Sequence, residues 1–347
     1  MTPAGGRYFT TSPRGDPANT IRCTLCPRSC SIPAGASGRC GVRVNRDGVG
    51  TIPFYGRITS MAADPIEKKP LYHYRPGVSI LSLGFLGCNL YCPFCQNWRI
   101  SQDIRADIRP DTRLLSPEEA VATALTAGIT QLAYTYSEPL IHIEYLLDCM
   151  KIAREQGIAN VLVSNGCLQK EAAAEILALT DAANIDLKSF SPDTYTRTLG
   201  GNLTAVLEFI TLAYRMGVHL EVTTLIVPDL NDGEKEIEGC LKFLTGLSPH
   251  IPWHLSAYHP DYRWDAPPTD ASRLEKIARR ARENLAYVYT GNIPGETNDT
   301  PCPHCGSPLV RRRGYSVNTR GLVLKKKQGK STYYCALCAK PVPVIRF

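Results

Sequence analysis

An α/β chain built as a barrel, or open barrel, of βα units is the fold class this sequence predicts, on three observations. Short apolar runs rich in Val, Ile, Leu and Thr recur seven times between residues 79 and 292. Amphipathic segments with helix start and stop signals fill the gaps between them. Polar residues follow the apolar runs one after another, at the end where such folds gather their chemistry. Strand, helix, strand, repeated about six times, calls for parallel strands with helices outside.

SILSLGF (79–85) opens the series and leads into LGCNLYCPFCQNW (86–98), which carries Cys88, Cys92 and Cys95. The helix SPEEAVATALTAG (116–128) starts on a capping box, Ser116 with Glu119 three residues on and Pro117 between, and ends at Gly128. ITQLAYTY (129–136) runs into TYSEP with Glu138, and IEYLLDCMKIAREQG (143–157) has helical periodicity. IANVLVSN (158–165) ends at Asn165, and LQKEAAAEILALT (168–180) follows as a helix. AANIDLK (182–188) ends in Asp186 and Lys188 before the helix LTAVLEFITLAYRMG (203–217). VHLEVTTLIVP (218–228) carries Glu221, Thr223 and Thr224, and GEKEIEGCLKFLTG (233–246) returns as a helix. IPWHLSAYHP (251–260) brings His254, Ser256 and His259, and after DASRLEKIARRARENL (270–285) the run AYVYTGN (286–292) ends at Asn292. Taken singly these residues have ordinary explanations: Asn165-Gly166 is a good turn, Ser137 or Glu138 a helix cap, Lys188 a solvated end. Their shared place at one rim is what argues for a site.

With 347 residues, 44% hydrophobic and 20% charged, the chain can bury one large core and carry small appendages, and it is not disordered. No run of 18 or more apolar residues occurs, and the first 20 residues have no signal-peptide core, so a cytoplasmic protein without membrane contact is expected. Disulfides are then not expected among the 14 cysteines. Four fall at 23–40, three at 88–95 and four at 302–338, while Cys149, Cys167 and Cys240 read as buried small hydrophobes. The spacing C-x3-C-x2-C supplies three thiolates and no fourth nearby. A structural zinc site wants four ligands in two pairs. A 4Fe-4S cluster on three cysteines instead leaves one iron open to a substrate or cofactor, which suits a loop at a strand end. Half a zinc site or a redox motif is the weaker alternative.

The C-x3-C-x2-C loop with Phe94 before its last cysteine, and the motifs at the strand ends, resemble those of radical S-adenosylmethionine (SAM) enzymes. DPIEKKPLYHYRPG, GCNLYCPFCQNW with the following SQ, YTYSEP, NIDLK and LEVTTLIVPDLND resemble, more narrowly, the AmmeMemoRadiSam system radical SAM enzymes, relatives of the pyruvate formate-lyase activating enzymes. The resemblance runs from Cys23 to Cys338 and implies a partial (β/α)6-type TIM barrel. It implies that Cys88, Cys92 and Cys95 ligate three irons of a 4Fe-4S cluster while SAM chelates the fourth, and that Phe94 lies against the adenine. Glu138 is expected to accept from the SAM ammonium, standing where relatives carry the Glu of Gly-Gly-Glu-Pro. Lys188 is expected to face the SAM carboxylate, His259 the ribose and methionine, and Asp186 to orient Lys188 or join Asn165 near SAM. A zwitterion at a partly dry cluster needs such an anion and cation. No side chain is required as a general acid or base for the initiating step. Glycyl-radical activases tend to carry an Asp before Thr-Asn-Gly; here Val163 stands before Ser164-Asn165-Gly166, which argues against a cation there and against direct transfer of the activase function. Memo-like and AMMECR-like proteins, a flavodoxin or ferredoxin as electron donor, and a peptide or protein substrate are the partners the resemblance implies. A glycyl-radical activase is the alternative within enzymes, and a metal-stabilised nucleic-acid-binding protein the alternative outside them.

The ends of the chain complete the organisation. Residues 1–20 are expected to be flexible, 21–75 to form a Cys-rich segment, 76–295 the barrel, and 296–347 a zinc-ribbon-like segment with a basic hairpin. Cys23, Cys26, Cys30 and Cys40 (C-x2-C-x3-C-x9-C) match no ferredoxin spacing. Cys302, Cys305, Cys335 and Cys338 form two knuckles 29 residues apart. One zinc at each quartet is favoured, with auxiliary iron-sulfur clusters as the alternative. Ala339 stands where a knuckle glycine is expected and fits if its φ stays negative. Residues 311–330 hold eight Lys or Arg and no acid; without them a net charge of +7 becomes −1. Arg311, Arg312, Arg313, Lys325, Lys326 and Lys327 therefore read as a docking strip for a macromolecule, or equally as a solvated face. Glu67, Lys68 and Lys69 are read as a solvated charge run or as facing substrate.

Overall fold

The computed structural model describes residues 5–11, 19–102, 104, 112–293, 298–327, 330–343 and 345–346. Much of the stretch 1–20, and the side chains of Lys326 and Lys327, lie outside the described residues. The central sheet has eight strands: β1 (Ser60–Pro65), β2 (Ser79–Gly84), β3 (Gln131–Thr135), β4 (Ala159–Ser164), β5 (Ala182–Asp186), β6 (His219–Ile226), β7 (Trp253–Ala257) and β8 (Val288–Gly291). They lie side by side in chain order, with β1 and β8 at the edges. Strands β2 to β8 are parallel throughout and only β1 runs antiparallel, on β2. Six helices connect them: α1 (Pro117–Thr126), α2 (Ile143–Glu155), α3 (Lys170–Leu177), α4 (Leu203–Arg215), α5 (Glu234–Leu247) and α6 (Ala271–Arg282). This is the α/β partial barrel expected from the alternation of patterns, six βα units and a final parallel strand.

The local chemistry explains the elements. All five residues of β3 are buried, as in a strand covered on both faces. The capping box at Ser116 forms: its hydroxyl accepts from the Glu119 amide at 3.2 Å, and the Glu119 carboxylate accepts from the Ser116 amide at 2.7 Å. Gly128 ends that helix at φ 66°. Strand β1 was not foreseen, and it comes from the segment 21–75. Beyond it, residues 66–74 close the amino-terminal end of the barrel, packing Ile66, Leu71 and Tyr74 against Ile80, Ala133, Val161 and Ala182.

Glu221, read as a rim residue, belongs to this closed end, while His254, hydrogen-bonded to it, also lines a cavity that reaches Ser256 and Asn292. Glu221 is fully buried and accepts from the Tyr72 and His73 amides at 3.0 and 2.8 Å, with the His219 and His254 rings at 3.0 and 2.7 Å. Both residues stand near the start of their strands, Glu221 in β6 and His254 in β7, which is why Glu221 falls away from the rim. Lys69 is not a solvated charge: it is 1% exposed and donates to Asp64 and the Tyr136 hydroxyl, both at 2.9 Å.

The appendages pack onto the barrel. A three-stranded sheet (Phe9–Thr11, Ile21–Cys23, Ser31–Ile32) carries the first cysteines. The C-terminal strands Pro308–Arg313 and Leu322–Lys327 lie in separate antiparallel units. Arg312 is no part of an exposed strip: it is 3% exposed, donates to the Asn298 and Tyr72 carbonyls and the Thr300 hydroxyl, and anchors the ribbon to the barrel.

Candidate functional site

A cavity of about 230 Å³ opens at the carboxyl ends of the parallel strands. Cys88, Cys92 and Cys95 from the loop after β2 line it together with Phe94, and Asn165 joins them after β4. Asp186 and Lys188 enter from the end of β5, and Thr223, Ser256 and Asn292 from β6, β7 and β8. The structure thus brings together the three thiols and most of the polar rim.

The electrostatics are those of a dry, charged site. Burial pushes the Cys92 thiol up to about 12, against the pull of the Lys188 ammonium, and pushes Cys88 well above its ordinary value. Only the thiolates ligate, so a metal bound here must displace these protons against the pull of burial. Burial works to lower the Lys188 pKa, yet the Asp186 carboxylate, 2.8 Å from its Nζ, more than reverses this and holds the lysine charged. The Cys95 sulfur lies 3.2 Å from the Ser101 hydroxyl, and the Asn165 amide donates toward the Cys88 sulfur at 3.7 Å. Phe94 is buried and stands nearly perpendicular to Trp264, interplanar angle 79°.

Two expected residues stand elsewhere. Glu138 is fully buried and does not line the cavity; its carboxylate accepts from the Leu140 amide at 3.0 Å, the Ser164 hydroxyl at 2.7 Å and the Asn165 amide at 2.9 Å. The capping demand of the short helix Pro139–His142 has turned it behind the wall, where burial raises its pKa to about 7. Its place is to fix Asn165, which faces the cavity. His259 is exposed and reaches the cavity only through Gln96, 2.9 Å from its Nε2.

Other features had no signal in the sequence. Tyr136 and Ser137, after β3, both adopt left-handed conformations, φ 53° and 64°. Non-glycine residues held there cost about 1–2 kcal/mol each. The Tyr136 hydroxyl on Asp64 and the Ser137 hydroxyl on the Gly87 carbonyl hold them in place. A second cavity of about 540 Å³ shares Ser256 and Asn292 with the first and is lined by Tyr72, Tyr136 and His254 on the barrel side. Glu67 and Lys68 border it, and Arg312, Gly314 and Tyr315 bring the C-terminal ribbon to its wall.

The two peripheral quartets differ. Cys302, Cys305, Cys335 and Cys338 all lie within 4.8 Å of one another, with two sulfur pairs at 3.8 Å. Zn–S bonds of about 2.3 Å in a tetrahedron put the sulfurs about 3.8 Å apart, so these four can hold one zinc-sized ion. Ala339 closes this knuckle at φ 56°, so the condition of a negative φ is not met, and its amide donates to the Cys335 carbonyl at 3.0 Å. Cys23, Cys26, Cys30 and Cys40 line one small cavity but do not gather as a one-ion site.

Residues 83–244 match the Radical SAM superfamily, the segment that holds the three thiols, Asn165, Asp186 and Lys188. The chain belongs to this superfamily, whose members carry a 4Fe-4S cluster and use SAM. Over 335 residues it is 39% identical to the uncharacterized protein MJ0808 of Methanocaldococcus jannaschii, covering 94% of this chain and 96% of that one. It is 25% identical to the pyruvate formate-lyase-activating enzyme of Clostridium pasteurianum, over 53% of this chain and 76% of that protein. A radical SAM methyltransferase structure from Sphaerobacter thermophilus shares the fold at 13% identity, with a TM-score of 0.50 over 83% of this chain and 76% of that one.

Proposed function

We propose that this protein cleaves SAM reductively at a cluster on Cys88, Cys92 and Cys95 and abstracts hydrogen from a peptide or protein residue, as part of an AmmeMemoRadiSam-type system. The observation that carries the reading is one cavity shared by three thiols with no fourth cysteine and the Lys188–Asp186 pair. When bound, the cluster and SAM together supply a 5′-deoxyadenosyl radical. The chain's own residues bind, orient and exclude water. Lys188 would meet the SAM carboxylate, Asp186 holds Lys188 in place, Asn165 steadies the Cys88 side, and Phe94 offers an apolar face to the adenine. Glu138 acts through Asn165.

Substrate would enter by the second cavity, which adjoins the first at Ser256 and Asn292. Its tyrosines give an aromatic wall of the kind that receives a side chain, and the ribbon residues Arg312, Gly314 and Tyr315 tie its shape to the C-terminal segment. That arrangement supports a macromolecular partner, such as a Memo-like or AMMECR-like protein, presenting a residue there, with flavodoxin or ferredoxin as reductant. The activase-like relatives favour a second reading, the installation of a glycyl radical on a partner; Val163, in place of an acid, disfavours it.

The test is electron paramagnetic resonance on the anaerobically reconstituted, reduced protein. SAM is expected to shift the cluster signal, and the Cys88→Ala/Cys92→Ala/Cys95→Ala variant to lose the responsive signal. The same SAM response in that variant would overturn the assignment.

A further inference from the structure

The spacing of the N-terminal quartet in sequence gives no hint of how it differs in space from the C-terminal one. Among the described residues, only the C-terminal four bring three or more ligand atoms within 4.8 Å of one another. No three of Cys23, Cys26, Cys30 and Cys40 meet that limit, yet all four face one small cavity. Cys88, Cys92 and Cys95 show the same combination, a shared cavity with wider spacing. As placed, the four sulfurs are not gathered about one tetrahedral ion, whose thiolates sit at about 2.3 Å from the metal. They can each cap one outward corner of a four-iron cube.

The surroundings suit an anionic cluster. Arg28, Arg39 and Arg43 all line the cavity. Arg43 is 1% exposed; its terminal nitrogens are spent on Glu144, both at 2.9 Å, while its buried Nε has no hydrogen-bond partner. An N–H beside a cavity walled by sulfur is a donor for a thiolate or a cluster sulfide. The two cysteine loops also stand back to back. A Cβ on Gly87 would come within 2.5 Å of the Cys40 carbonyl oxygen. Asn89 lines the quartet's cavity, and its Oδ1 is 3.9 Å from the Cys88 sulfur. Tyr91, between Cys88 and Cys92, lies under both Arg28 and Arg39.

We infer that Cys23, Cys26, Cys30 and Cys40 hold a second four-iron cluster, ligated by four thiolates, which relays single electrons to the cluster at Cys88, Cys92 and Cys95. All four of its irons are then saturated, so SAM does not bind there. A low-potential one-electron donor protein reduces the outer cluster by one electron. That electron passes to the inner cluster, the outer one returns to its oxidised state, and the electron is consumed at the SAM sulfonium as a carbon–sulfur bond breaks. The relay rests on the function proposed above; the metal assignment does not.

Iron, sulfide and zinc analysis with Mössbauer spectroscopy on the anaerobically reconstituted full chain tests the assignment. The wild type is expected to hold about eight irons and about one zinc, and the Cys88→Ala/Cys92→Ala/Cys95→Ala variant about four irons with a paramagnetic signal that ignores SAM. About four irons and two zincs in the wild type, or zinc in place of iron in the variant, would overturn it. For the relay, a Cys26→Ser/Cys30→Ser variant should keep a SAM-responsive inner cluster but be reduced by flavodoxin at least about tenfold more slowly; an unchanged rate refutes the relay. Eight irons with no SAM response at the inner cluster would instead contradict the proposed function and leave the second cluster standing.

Discussion

Lys188 and Glu138 are both charged residues at strand ends, and the fold gives them opposite standing. Lys188 lines the cavity with a single carboxylate partner, while Glu138 has its oxygens occupied by three donors behind the wall. Lys188→Ala is expected to weaken SAM binding ten- to a hundredfold, the effect of losing a charge-assisted contact of about 1.5–3 kcal/mol, with little change in melting temperature. Glu138→Ala should do the reverse first, lowering stability by about 1–3 kcal/mol because buried donors lose their acceptor. Calorimetry of SAM binding beside thermal unfolding checks both. The lysine's place was legible because DLK ends a strand. The orientation of Glu138 was not, since a glutamate that begins a helix turn can face the site or cap the turn, and only the packed structure decides. The left-handed backbone at Tyr136 and Ser137 was equally hidden, because neither residue type announces a positive φ.

At the scale of elements, the strands and helices of the barrel follow from their apolar periods, and strand ends foretold where most of the cavity would lie. What periodicity missed was β1, whose SMAADP has too little apolar character to read as a strand and is held by its pairing with β2. It also missed the contact of the two cysteine loops at Gly87, a long-range approach with no local signature. Gly87 sits at φ 85°, and an added Cβ would meet the Cys40 backbone carbonyl at 2.5 Å as well as the Ile104 and Val42 side chains at 2.9 Å. Gly87→Ala is therefore expected to destabilise the protein by at least about 2 kcal/mol and to lower iron content at both N-terminal cysteine sets. Denaturant unfolding and iron analysis on the same preparation are the check, and full iron loading with unchanged stability would contradict the contact.

For the whole molecule, the closed end of the barrel carries a buried charge network and sets how stability depends on pH. His73 is fully buried, its Nε2 2.7 Å from the Tyr289 hydroxyl, among Glu221, His219, His254 and Arg312. Burial lowers its pKa to about 3. A base whose folded pKa is depressed contributes stability that is fully present above its unfolded value, about 6.5, and is lost as pH falls toward 3. The stability of the wild type relative to His73→Gln should thus decline by about 1.4 kcal/mol per pH unit below about 6.5, measured by denaturant titration at several pH values. At the opposite end lies the cavity on which the functional account depends. Its central claim is that three thiols and the Lys188–Asp186 pair form a site for reductive SAM cleavage. The direct measurement is 5′-deoxyadenosine by mass spectrometry after anaerobic incubation with SAM and dithionite. The account predicts its formation by the reconstituted protein and none by the Cys88→Ala/Cys92→Ala/Cys95→Ala variant. Equal amounts from both proteins, or none from the wild type with its cluster intact and reduced, would contradict it.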